Sequence, residues 1–126
     1  MAKDQKEWFR QADYDMGAAQ TMFDGKRYIY AVFMCHLSIE KALKGHYFKN
    51  FGAQAPKTHN LLYLTEKNGI EFPEHIDDFI IKLNRESIVT RYPEDIGRMS
   101  KNYNKKKTNE IIANSKEALE WLREKL

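Results

Sequence analysis

At 126 residues the chain can bury one hydrophobic core but not two, so one domain spanning residues 1–126 is expected. A hydrophobic fraction of 42% with 13% aromatic residues excludes a disordered chain, and a net charge of +3 does not by itself announce a nucleic-acid binder. No apolar run approaches the roughly twenty residues of a membrane span, and the opening Met-Ala-Lys-Asp-Gln-Lys-Glu leads into an amphipathic pattern, not a signal-peptide core. The single cysteine, Cys35, lies in an apolar run; a reducing, cytoplasmic setting with no membrane association is expected.

Residues 4–23 place Phe9, Ala12, Met16, Ala19 and Phe23 at helical spacing beside Trp8, and Asp24-Gly25 ends that helix. The second helix runs from about Lys26 to Asn50. Tyr28 to Phe33 is almost wholly apolar, and Leu43, Tyr47 and Phe48 continue the pattern, which marks this helix as central. After a loop over Gly52–Lys57, Thr58 is a suitable N-cap for a short helix ending near Asn68-Gly69. Pro73 suits a first helical position before Ile76, Phe79, Ile80 and Leu83, a stripe that fades near Val89. From Thr90 to Lys107 there is little periodicity, and Pro93 and Gly97 oppose a continuous helix, so a long irregular connection is expected. Thr108 then caps a last helix with Ile111, Ile112, Ser115, Leu119, Leu122 and Leu126 on its apolar side. No segment alternates with period two. The expected fold class is all-α: an up-and-down helical bundle of four main helices plus one short helix set to one side.

His36, Glu40 and Lys44 stand four apart and share one stripe of the central helix. Ionised groups on a core helix are costly unless paired, so each needs a partner or a ligand. Glu40 and Lys44 have the favourable order for an ion pair. Residues 82–107 carry eight basic groups against three acidic ones, a local +5 that leaves −2 elsewhere. This is either a solvated surface or an anion-facing patch. Within it Arg91 offers a planar fork suited to phosphate, or a partner for Asp15 or Glu40. Lys41 and Lys44 supply mobile point charges. Tyr92 either stacks on a base or packs before Pro93. His59, opening the short helix, either donates to a phosphate or caps the helix. Asp15 and Glu40 form a supporting polar cluster, Asp15 buttressing a basic group such as Lys41 or Arg91. His36 and Glu40 on one face could ligate a metal only if a further ligand such as His59 folded back to join them, Cys35 sits in an apolar run where thiols are usually inert, and no glycine-rich phosphate loop occurs. No catalytic residue, metal or cofactor is therefore assigned.

These residues also carry a resemblance. Trp8 with Ala12-Asp13-Tyr14-Asp15-Met16, Glu40-Lys41-Ala42-Leu43-Lys44, Pro56-Lys57-Thr58-His59-Asn60-Leu61 and Arg91-Tyr92-Pro93, in that order and spacing, resemble the HEPN domains (higher eukaryotes and prokaryotes nucleotide-binding) of the small stand-alone prokaryotic type. Leu37 departs from the pattern, standing where many relatives carry glutamine. The resemblance implies a helical bundle, nucleotide or RNA binding, a homodimer, and a separate small nucleotidyltransferase as partner in a toxin–antitoxin-like pair. Tyr30, Phe33, Tyr47, Phe48 and Phe51 offer aromatic surface for such a dimer. Many relatives are metal-independent endoribonucleases with an arginine followed four to six residues later by histidine. Here the nearest arginine before any histidine is Arg27, nine positions ahead of His36, so that motif is absent. Binding is the leading expectation. The alternatives are an endoribonuclease using a non-standard Arg/His set, such as Arg91 with His59, and a structural helical dimerisation module.

Overall fold

The computed structural model describes residues 3–126, and among these six α-helices and no strand are found. They are α1 (Gln5–Asp24), α2 (Tyr28–Phe51), α3 (Leu61–Lys67), α4 (Glu74–Arg91), α5 (Ile96–Asn102) and α6 (Lys105–Glu124). The all-α bundle is as the periodicity predicts, with α1, α2, α4 and α6 carrying the long apolar stripes. The count of four main helices plus one short helix is not. The supposed irregular connection from Thr90 to Lys107 contains a second short helix, α5, and α4 itself runs on to Arg91. The reason is local capping. The Asp95 carboxylate accepts from the Arg98 N–H at 3.0 Å and starts α5, and an N-cap of this kind is worth about 1 kcal/mol, enough to offset Gly97 in the first turn. Pro93 lies in the connection ahead of the helix, where it breaks nothing. Tyr103, just past the end of α5, is buried in the core and anchors it.

Two caps also differ from expectation. Asn60, not Thr58, caps α3, its side-chain oxygen accepting from the N–H groups of Leu62 and Tyr63; Thr58 accepts instead from the Asn60 N–H. Asn104, not Thr108, caps α6, and Thr108 lies buried inside that helix.

Helix α2 touches all five others, which is why its apolar residues show no single stripe. Its enclosed polar groups find partners across the bundle. The Ser38 hydroxyl donates to the Ala12 carbonyl at 2.7 Å, and the His46 Nε2–H donates to the Leu122 carbonyl at 2.7 Å. Burial holds His46 below the ordinary imidazole range, although the Leu122 carbonyl opposes this. Burial likewise pushes the Cys35 thiol up to about 11, against weaker lowering by the nearby Ser115 hydroxyl and the charge of Lys116. Among the described residues no helix is long and apolar enough to cross a membrane.

Helices α1 and α2 pack tightly at Gly45, where a Cβ would lie 3.1 Å from Phe9 Cδ2 and 3.2 Å from Trp8 Cβ. An alanine there would gain about 1 kcal/mol of helix propensity and lose a similar amount or more to overpacking. A branched side chain has no such offset. Gly45→Val should therefore lower the melting temperature by roughly 5–10 °C, read by circular dichroism; an unchanged melt would mean that α1 shifts without cost.

Candidate functional site

Glu40 sits in mid-α2 with only 3% of its surface exposed, and its two carboxylate oxygens each take one donor. Lys44, one turn on, donates to Oε2 at 3.1 Å. His59, in the connection before α3, has its Nδ1 2.8 Å from Oε1. A carboxylate only accepts, so the Nδ1 carries the proton and the exposed Nε2 is left open. The connection is held in place by Asn84 of α4, whose side-chain oxygen accepts from the Leu61 N–H at 2.8 Å.

His36, a turn earlier on α2, is fully buried, and among the described residues neither of its ring nitrogens has a hydrogen-bond partner. Its Nδ1 stays 3.9 Å from Glu40 Oε1, and the His59 carbonyl is near but outside hydrogen-bonding geometry. Burial lowers the His36 pKa to about 4; the Glu40 charge works against that shift and Arg91 adds to it, while the His59 carbonyl opposes it and the His59 ring adds the least. Arg91, at the end of α4, lays its guanidinium over the Phe33 ring at 4.6 Å from the centroid. Its Nη2 is buried with no partner.

The structure thus sorts the sequence candidates. Glu40, Lys44 and His59 come together. Lys41 does not join them: it reaches Asp15 of α1 at 2.8 Å, an ion pair whose alignment falls short of a hydrogen bond. Arg91 pairs with neither Asp15 nor Glu40, its charge reaching the cluster through His36. Tyr92 is not packed against Pro93 in the core but is 73% exposed. Of the aromatic residues expected at a dimer face, Tyr30 and Phe51 are exposed, whereas Phe33, Tyr47 and Phe48 are half-buried. Sequence reasoning puts His36 on the Glu40 stripe without a role, assigns Phe33 to a dimer face instead of to Arg91, and misses Asn84. The four-residue spacing to Glu40 is the only signal for His36, and nothing local marks the other two. Among the described residues no group of three or more His, Cys, Asp or Glu side chains is placed to hold a metal ion.

A family profile described as the HEPN domain matches residues 5–125. The chain belongs to the HEPN domain family. The crystal structure of TT1696 from Thermus thermophilus is 25% identical to this HEPN chain, covers 97% of it and 98% of its own length, and superposes with a TM-score of 0.83. That of ST0689, an archaeal HEPN homologue, is 22% identical over 98% of both chains, with a TM-score of 0.78, a likeness of fold. No curated protein matches.

The buried imidazole has a measurable consequence. The unfolded His36 takes a proton below about 6.5, the folded one only below about 4, so the unfolded state binds more protons between those values. Stability should fall as pH drops through that window, with about 3 kcal/mol lost in full below it. Urea unfolding of wild type and His36→Leu across this range should show a shallower pH dependence in the variant. Parallel pH curves would mean that His36 titrates normally.

Proposed function

We propose that this HEPN domain binds a nucleotide or RNA through phosphate contacts centred on Arg91. The observation that carries the reading is the Arg91 Nη2, a buried donor with no partner, beside His36, whose ring nitrogens are equally unpartnered. Unmet buried donors are expensive, and an anion's oxygens would satisfy them. His59 adds a basic group near His36, held in a fixed position by Glu40, which Lys44 also meets. The local excess of positive charge over residues 82–107 draws an anion to this end of α4. The family resemblance supports two further parts of the reading: a small nucleotidyltransferase as partner in a toxin–antitoxin-like pair, and a homodimer.

A second reading, an endoribonuclease with Arg91 and His59 as a non-standard set, is favoured by the Glu40–His59 hydrogen bond. A carboxylate that fixes one ring nitrogen leaves the other oriented for proton transfer. RNA that is bound but not cut would end that reading and leave the first intact.

Arg91→Ala should weaken nucleotide or RNA affinity by about 1–3 kcal/mol, the worth of a charge-assisted contact. The lost stacking on Phe33 should cost at most about 1 kcal/mol of stability, because no carboxylate is stranded by the change. Isothermal titration with ATP, GTP and a short RNA, alongside thermal melts, measures both. Unchanged affinity with a clearly lowered melting temperature would make Arg91 a structural residue and sink the reading.

A further inference from the structure

Helices α4 and α6 run antiparallel, with His75 meeting Glu117 at one end and Lys107 facing Glu86 at the other, and touch little between. The groove they leave holds about 280 Å³ and has Phe79, Leu83 and Ile111 on its apolar side. That is just under the roughly 300–1,000 Å³ of drug-sized ligand sites, so it admits a small molecule. One group in it lacks what a buried charge requires. Glu86 Oε2 is buried with no partner among the described residues, and Lys107 Nζ stays 3.8 Å from Oε1, beyond hydrogen-bond distance. That ammonium is shared with the Tyr103 ring, 4.7 Å from its centroid. Burial raises the Glu86 pKa, and the charges of Lys107 and Arg85 oppose this without meeting the inner oxygen. Asp78, Lys82 and Glu110 at the rim are exposed and form no ion pair among the described residues. With His75 taken by Glu117, three carboxylates face two lysines, which leaves the groove a single negative charge.

We propose that this groove binds a small primary amine, its ammonium donating to Glu86 Oε2 and its apolar body lying on Phe79, Leu83 and Ile111. The buried oxygen sets the sign of the ligand. Lys82 and Lys107 are exposed and solvated, so an anion gains little from them. A donor that reaches Oε2 instead satisfies a charge that water does not reach. A charge-assisted hydrogen bond is about twice as strong as a neutral one, which favours an ammonium over a hydroxyl. One net negative charge matches one ammonium, not a polyamine, and a free amino acid would bring a further carboxylate to a groove already in excess of them. Nothing in this depends on Arg91 or on the phosphate reading.

The test is a heteronuclear NMR titration of the full chain with three probes of one shape: phenethylamine, phenethyl alcohol and phenylalanine. The amine should bind saturably, shift the amides of residues 79–86 and 107–111, and bind at least about tenfold more tightly than the other two. Glu86→Gln keeps the side chain's shape and removes its charge, so the fold should be retained and the preference for the amine lost. Lys107→Met should strengthen amine binding, because the cation competing for Glu86 is gone. Equal binding of amine and alcohol, an unchanged amine affinity in Glu86→Gln, or no binding of the amine by wild type each overturns the proposal. Tighter binding of phenylalanine than of the amine would make the two lysines the recognising groups and overturn it as well.

Discussion

The buried polar groups around Glu40 are governed by the enclosure of α2, which all five other helices touch. A charge on such a helix cannot turn to water, so its satisfaction must come from neighbouring elements. Glu40 illustrates the balance. Taking its carboxylate out of water is costly, and the cluster it forms with Lys44 and His59, both bonded to it, keeps that charge from being stranded. What it fixes is position: His59 belongs to a connection with no helix of its own, and the bond to α2 together with the Asn84 cap on Leu61 sets where that connection lies.

The same reasoning separates committed cations from available ones. Lys41 is committed to Asp15, and Lys44 to Glu40 with Trp8 nearby. Among the described residues Arg91 has only an aromatic face, Phe33, and Tyr92 beyond it is largely open to solvent. A ligand meeting this end of α4 would therefore displace no existing ion pair to reach Arg91. That is the physical difference between a cation that holds a fold together and one that is still able to bind.

The long helices were legible because each buries a stripe that recurs at helical spacing over many turns: Phe9, Ala12, Met16 and Ala19 in α1, and Ile111, Leu119 and Leu122 in α6. Helix α5 was not, because seven residues hold too few turns for periodicity, and none of its residues is buried; its signal was the Asp95 cap alone. The pairing of Lys44 with Glu40 followed from spacing. The choice of Lys41 for Asp15 needed the packing of α1 on α2, and the bond from His59 back to Glu40 needed the path of the loop. Least legible was the isolation of His36. That a ring nitrogen lacks a partner is a statement about every element around it, and no local pattern encodes it.

Cys35 shows what the enclosure of α2 means in time. Its thiol has no exposed surface and a pKa pushed to about 11, so in the closed bundle it presents neither access nor thiolate to a reagent. Both obstacles vanish together when the helices part. The chain therefore carries, at its most enclosed helix, a built-in clock: the rate of alkylation of one native thiol counts how often the core opens.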